Sequence, residues 1–145
     1  MASELSNPDL RPDPDEFGRS PLHYAAAESD AAYVQLLLSA GAGPNERDDG
    51  GWTPRHFAAQ AVSADVTDAL LRSGANVDLR DSHGNTPLWR AVYSSCGDGS
   101  VIRLLRDAGA DPRVANDRGV SPIKLARRIA NYDVAGFFAD LLASD

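Results

Sequence analysis

The chain has 145 residues, of which 43% are hydrophobic and 24% charged, and its formal net charge is −7. These values are typical of one globular domain, and the chain is long enough to bury a core without disulfides or metal ions. A single cysteine, Cys96, excludes a disulfide scaffold, and no run of about eighteen apolar residues is present to cross a membrane. The acidic balance excludes binding to nucleic-acid phosphates, which requires a basic face.

The N-terminal segment differs in composition from the rest of the chain. Residues 1–14 contain Pro8, Pro12 and Pro14, so they cannot form a helix throughout. We expect an acidic arm or a partial cap there, because residues 1–16 carry five acids against one arginine. The segment has neither the basic start nor the apolar run of a secretory signal, which predicts a cytoplasmic protein.

Two landmarks recur along the chain with the same period. The first landmark is a Ser/Thr-Pro pair, whose prolines are spaced by 33, 33 and 35 residues at Pro21, Pro54, Pro87 and Pro122. The second is a Gly-Ala pair, whose glycines keep the same phase at Gly41, Gly74 and Gly109. A period of this length indicates stacked structural repeats. The predicted repeat boundaries are about 15–47, 48–80, 81–115 and 116–145.

Each landmark has a physical role in a pair of helices. The Ser/Thr hydroxyl can cap a helix, and the proline that follows suits the first helical position because its missing N–H has no partner there. The glycine lies just after a leucine-rich second helix, where a left-handed residue can end it. The third repeat has two extra residues within 94–100, which predicts a longer, mobile turn between its two helices.

These motifs resemble those of the ankyrin repeat family. Ser20-Pro-Leu-His-Tyr-Ala-Ala26 is similar to the family signature T-P-L-H-x-A-A, and Gly109-Ala-Asp-Pro112 resembles its G-A-D stretch. The resemblance covers about residues 15–142 and implies an all-α solenoid of four stacked helix-turn-helix repeats with projecting β-hairpin loops. The last repeat departs from the pattern at Lys124 and Arg127, which is typical of a polar C-terminal cap.

The sequence shows no pattern that supports chemistry. The resemblance implies that His23 and His56 bond to neighbouring loop backbone, and we expect loop aspartates to bond local N–H groups, namely Asp15, Asp48, Asp49, Asp81 and Asp117. Zinc needs about four converging ligands, and acid–base catalysis needs two groups in one pocket, whereas a solenoid spaces equivalent residues a repeat apart. We therefore predict no metal, no cofactor, no catalytic residue and no small-molecule substrate.

In the family, partners bind at the hairpin tips and on the concave face of the first helices. We transfer these positions to the matching residues of this chain and add Arg55 and Trp89, which depart from the family pattern. The predicted contact residues are then Glu16, Phe17, Arg19, Glu28, Asp49, Trp52, Arg55, Gln60, His83, Asn85, Trp89, Tyr93 and Arg118. Trp52 is a large aromatic in a polar loop, as in interface hot spots, although it could instead pack on the neighbouring hairpin. Arg55 stands where the family usually has an apolar residue, and packing within the repeat does not explain an arginine at this position.

The predicted function is protein binding without catalysis, by a monomer whose acidic surface favours a basic partner. A stoichiometric inhibitor, such as an immunity protein that neutralises a toxin, is the role we favour. The excess of arginine over lysine, 13 of the 14 basic residues, favours a GC-rich and bacterial genome. The alternatives are an adaptor that uses residues 1–14 as a second motif, a designed or structural repeat protein, and, most remotely, an enzyme.

Overall fold

The computed structural model describes residues 14–74 and 76–142, so the predicted arm at residues 1–14 lies outside the described part except for Pro14. The described residues form eight α-helices and one 3₁₀ helix. They are α1 Pro21–Ala27, α2 Ala31–Ser39, α3 Pro54–Gln60, α4 Ala64–Arg72, α5 Pro87–Ser94, α6 Ser100–Asp107, α7 Pro122–Arg128, the 3₁₀ helix Ala135–Phe138 and α8 Ala139–Leu142. None of these helices is long and apolar enough to span a bilayer.

The helices stack in two layers. The four proline-initiated helices α1, α3, α5 and α7 pack side by side, and α2, α4 and α6 form a second row against the first three of them. After α7 the chain continues into the 3₁₀ helix and α8 instead of a second helix of full length. This arrangement confirms the predicted all-α solenoid of stacked helix pairs.

The first helices begin as the Ser/Thr-Pro pairs predict. The hydroxyls of Thr53, Thr86 and Ser121 accept hydrogen bonds from the N–H groups three residues later, and a proline occupies the first turn each time. In the first repeat the Ser20 hydroxyl bonds to His23 Nδ1 instead. The caps set where each first helix starts, and therefore where the preceding loop ends.

The glycines after the second helices adopt left-handed backbone conformations, as predicted. Gly41, Gly74 and Gly109 have φ angles of 94°, 76° and 96°. Since a Cβ at these positions would meet no atom within 4 Å, the backbone conformation and not crowding accounts for glycine there.

The apolar core of the described residues consists of two clusters that both include residues of the second repeat, where Arg55 is buried. Ala58 belongs to the cluster built around the first two repeats, whereas its neighbour Ala59 belongs to the cluster that extends to Phe138. Arg55 occupies the repeat position at which Leu22 and Leu88 contribute core side chains.

Arg55 is buried, with 1% of its surface exposed. Its guanidinium donates to Asn45 Oδ1 at 3.0 Å, to the Leu70 carbonyl at 2.7 Å and to the Gly74 carbonyl at 3.3 Å, which satisfies the C-terminal end of α4. Burial lowers the pKa of the guanidinium. The prediction that Arg55 contacts a partner is therefore wrong, because its side chain is enclosed and holds two repeats together.

The extra residues of the third repeat lie where predicted. Five residues separate α5 from α6, compared with three in each of the first two repeats. This turn packs against the C-terminal segment: Gly97 lies against Tyr132, and a Cβ at Gly99 would overlap the ring of Phe137. The longer turn thus packs against the segment that contains Tyr132 and Phe137.

Candidate functional site

The loops between repeats are tight turns closed by backbone hydrogen bonds, and we call residues 15–19, 48–52, 81–85 and 116–120 the hairpin turns. The described residues form no β-strand, so the predicted β-hairpins are reduced to these turns. In each turn the first residue donates its N–H to the carbonyl of the fifth. Each turn also bonds to the next, through Asp49 N–H to Phe17 O, Ser82 N–H to Gly50 O and Asp117 N–H to His83 O. The tips therefore form one continuous row.

The side chain of the first residue organises each hairpin turn. Its Oδ1 accepts the N–H groups two and four residues later, and the residues that do this are Asp15, Asp48, Asp81 and Asn116. This confirms the prediction for the three aspartates. Asp49 and Asp117 join the row through their backbone N–H groups, and Asn116 fills the role in the fourth turn, as its spacing of 35 residues from Asp81 indicates.

His23 and His56 connect helix starts to hairpin turns, as the resemblance implied. His56 Nδ1 accepts the Thr53 N–H at 3.1 Å, so its Nε2 carries the proton and donates to the Asn85 carbonyl at 2.8 Å. His23 bonds in the same way to Ser20 and to the Glu46 and Trp52 carbonyls. Burial lowers the pKa of both rings, that of His56 to about 4, so both are neutral at pH 7.

Eight side chains along the hairpin side of the first helices form a continuous stack of rings and guanidinium groups. We call this set the arginine–aromatic ladder, and it consists of Phe17, Arg19, Tyr24, Trp52, Phe57, Trp89, Arg90 and Tyr93. It runs from the first hairpin turn to the end of α5 and so crosses three repeats.

The contacts within the ladder are close. The Arg19 guanidinium lies 5.2 Å from the ring centroid of Phe17 and 5.3 Å from that of Phe57. The Phe57 and Trp52 centroids are 4.8 Å apart. Arg90 lies 4.3 Å from Trp52, which makes this the shortest cation–ring separation of the ladder.

The far end of the ladder is a stacked aromatic pair. The guanidinium of Arg90 is 5.3 Å from the Trp89 centroid. The Trp89 and Tyr93 rings are 5.5 Å apart at an interplanar angle of 11°. Tyr93 is 63% exposed, so this end of the ladder faces solvent.

Carboxylates of the hairpin turns hold both arginines of the ladder in place. Arg19 Nε lies 3.1 Å from Asp48 Oδ2, and Arg90 Nη2 lies 3.2 Å from Asp81 Oδ2, whose side chain is fully buried. The Oδ1 atom of each carboxylate accepts backbone N–H groups of the hairpin turn to which the aspartate belongs. One carboxylate therefore fixes both its hairpin turn and an arginine of the ladder. The ladder is therefore a preformed surface.

The ladder was only partly predicted. The predicted contact residues include five members of the ladder, Phe17, Arg19, Trp52, Trp89 and Tyr93, but not Tyr24, Phe57 and Arg90. The signal for the missed residues was present, since these three occupy one repeat position, spaced by 33 residues.

The predicted contact residues differ in exposure. Solvent reaches those at the tips and on the first helices, namely Glu16, Phe17, Glu28, Asp49, Gln60, His83, Tyr93 and Arg118. Arg19, Trp52 and Trp89 are partly buried in the ladder. Trp52 contacts Phe57 of α3 and Arg90 of α5, whereas the packing alternative considered for it was the neighbouring hairpin. Asn85 is 5% exposed and accepts a hydrogen bond from Asn116. Its side chain supports the hairpin turns and also lines the groove between the third and fourth repeats, and its assignment as a contact residue stays a prediction.

A groove of about 540 Å³ lies beyond the ladder, between the third and fourth repeats. Trp89, Arg90 and Tyr93 line one part of it, and Arg118 and Arg128 line another. We call it the third–fourth groove. Across residues 14–74 and 76–142, no three His, Cys, Asp or Glu side chains are grouped so that they could hold a metal ion.

Comparison with known proteins identifies one family. The family model described as "Ankyrin repeats (3 copies)" matches residues 22–116, which is more than half of the chain. No curated protein matches the sequence.

Proposed function

Because the chain belongs to the ankyrin repeat family, whose members are generally protein–protein interaction modules, we propose that it binds a protein partner without catalysis. The surface that we assign to binding is the row of hairpin turns together with the arginine–aromatic ladder. The ladder is the observation that supports this choice most strongly. Its arginines are held by Asp48 and Asp81, while rings at its ends are exposed, as in the anchor residues of interfaces.

The charge around the first two repeats suits a partner with a basic surface. Glu16 and Asp49 are exposed in the first two hairpin turns beside Phe17, and Glu28 is exposed at the C-terminal end of α1. Opposite charges on the partner would speed encounter and set orientation, while the aromatic contacts would supply most of the affinity.

A dedicated, stoichiometric inhibitor fits such a surface best. A preformed interface loses little conformational entropy on binding, which favours a tight one-to-one complex of the kind that a toxin-neutralising immunity protein makes. In this proposal the protein is a cytoplasmic monomer of bacterial origin with four repeats, the last at 116–145. An adaptor that uses residues 1–14 for a second partner is the alternative role.

A pull-down with a matched pair of variants tests the proposal. Phe17→Ala/Tyr24→Ala removes two exposed rings at one end of the ladder, whereas Tyr132→Ala removes an aromatic of similar exposure beside the α5–α6 turn. One protein retained at near-equal stoichiometry by wild type and Tyr132→Ala, and lost by the double variant, would support an inhibitor. Retention by the double variant would refute the ladder as the interface, and several partners of comparable yield would favour the adaptor.

A further inference from the structure

We propose that the third–fourth groove binds the carboxylate of an acidic segment of a protein partner. This inference deepens the proposed function and rests on it. It assigns to the groove a ligand opposite in charge to the basic surface expected at the first two repeats.

Two buried N–H groups of the residues that line the groove are unsatisfied. Within the part of the chain that the structure describes, Trp89 Nε1 and Arg90 Nε have no hydrogen-bond partner. An unsatisfied buried donor costs about 1–3 kcal/mol, so donors of this kind call for an acceptor.

The repeat register shows why Trp89 is left without a partner. His56 stands one repeat earlier, and its Nε2 donates to the carbonyl of Asn85 in the following hairpin turn. The replacement of histidine by tryptophan at position 89 supplies a donor for which the fourth hairpin turn provides no acceptor. The structure thus departs from its own repeat beside this groove.

The groove has an excess of positive charge in a protein that is acidic overall. Its lining includes the three arginines Arg90, Arg118 and Arg128, of which Arg90 is already paired with the buried carboxylate of Asp81, and Asp117 is the one acidic side chain of the lining. Asp117 Oδ1 lies 3.7 Å from Arg80 Nη2, which offsets part of its charge. Among residues 14–74 and 76–142, neither Arg118 nor Arg128 forms an ion pair. Arginine binds carboxylates through paired N–H groups, so a carboxylate fits these cations.

The apolar part of the lining indicates which residues flank the acidic residue in the partner segment. The stacked rings of Trp89 and Tyr93 lie on one side, and Val120 and Leu125 also line the groove. A volume of about 540 Å³ accommodates a short segment rather than one side chain. We therefore assign the groove to an acidic residue flanked by apolar residues, in an extended stretch of the partner.

A titration of the ¹⁵N-labelled full chain with two blocked hexapeptides tests this assignment. The probe has the sequence ALDELA, and its matched control ALNQLA has the same shape without the charges. The chain contains two tryptophans, so its spectrum has two indole N–H signals, and Trp89→Phe assigns them. We expect ALDELA to shift the Trp89 signal and to bind about tenfold more tightly than ALNQLA, because it supplies charged acceptors.

Three arginine variants locate the binding. Arg118→Gln and Arg128→Gln alter exposed side chains at the groove and should each weaken ALDELA binding about fivefold or more, with folding preserved. Arg72→Gln removes a similar charge on α4, away from the groove, and should leave binding unchanged. Equal binding of the two peptides, equal losses in all three variants, or an unshifted Trp89 signal would overturn the assignment.

The experiments distinguish a failure of the groove assignment from a failure of the proposed function. If ALDELA fails to bind while Phe17→Ala/Tyr24→Ala loses the partner, the groove assignment fails and the ladder interface stands. If the double variant retains its partner while ALDELA binds as expected, the interface at the Phe17 and Tyr24 end of the ladder fails and the groove assignment stands.

Discussion

The guanidinium of Arg90 lies 4.3 Å from the ring centroid of Trp52 and so joins the second hairpin turn to the first helix of the third repeat. Asp81 holds the same guanidinium from the third hairpin turn. One cation thereby connects two successive turns with the helix layer. Because stability in repeat proteins depends on contacts between neighbouring repeats, this contact should serve folding as well as binding.

Trp52→Ala should lower the free energy of unfolding by about 2 kcal/mol, because it removes the ring that packs on Phe57 and the face on which Arg90 lies. Urea denaturation measures the effect. Phe17→Ala is the matched control, and it should cost less than about 1 kcal/mol because the ring is half-exposed. A Trp52→Ala midpoint equal to that of wild type would show that the tryptophan does not stabilise the stack.

Arg55→Ala should destabilise the protein by about 3 kcal/mol, because it removes a buried guanidinium with three acceptors and leaves a cavity. Arg55→Leu should cost at least about 1 kcal/mol less, since leucine fills this position in the first and third repeats and could join the two core clusters. The Leu70 carbonyl would keep its hydrogen bond from the Ser73 hydroxyl.

Urea midpoints of wild type and both Arg55 variants decide this prediction. Equal losses for alanine and leucine would contradict the explanation by volume and core continuity, and would assign the whole effect to the lost hydrogen bonds.

Stability should fall as the pH is lowered from 7.5 to 5, because the folded state holds His56 in its neutral form. Burial lowers the pKa of His56 to about 4 in the folded protein, whereas an unfolded histidine titrates near 6.5. Between these values the unfolded state binds more protons, so the contribution of His56 is complete above pH 6.5 and decreases as the pH falls towards 4. Linkage gives a loss of about 2 kcal/mol by pH 5, and His23 changes in the same direction.

Urea denaturation of wild type and His56→Gln at several pH values tests the linkage. The variant should be less stable at pH 7.5, because glutamine does not reproduce the bonds to Thr53 and Asn85, but it should lose less stability on acidification. Parallel pH profiles for the two proteins would refute the assignment to His56.

Association with a basic partner should slow by roughly tenfold as the salt concentration rises from 50 to 500 mM, because salt screens the long-range attraction. The triple variant Glu16→Gln/Glu28→Gln/Asp49→Asn should show a slower association rate at low salt and a weaker salt dependence. Stopped-flow kinetics measure both rates. A wild-type rate that does not change with salt would contradict the electrostatic part of the proposal.

The repeat architecture could be predicted from sequence because its determinants are local. Proline at the start of a helix, a hydroxyl cap before it and a left-handed glycine after the second helix each act within a few residues of backbone. A period of 33 residues then leaves one way to stack the units. The roles of His23 and His56 were implied by the resemblance to the ankyrin repeat family, and in the structure their carbonyl partners Trp52 and Asn85 recur at the same spacing.

The binding surface could be predicted only in part, because burial depends on residues far apart in the chain. Arg55 resembled a contact residue in sequence, yet it is buried and bonded to the C-terminal end of α4, and the side chain of Asn85 is buried and accepts a hydrogen bond from Asn116 of the next hairpin turn. Trp52 stands in a polar loop, but stacking brings Phe57 and Arg90 against its ring.

The sequence by itself determined the helix pairs, their caps, the hairpin turns and the order in which they stack. Only the tertiary structure decided which polar and aromatic side chains face one another across repeats. The ladder and the unsatisfied N–H of Trp89 both arise from contacts between residues that are distant in the chain, and local backbone preferences carry no information about such contacts.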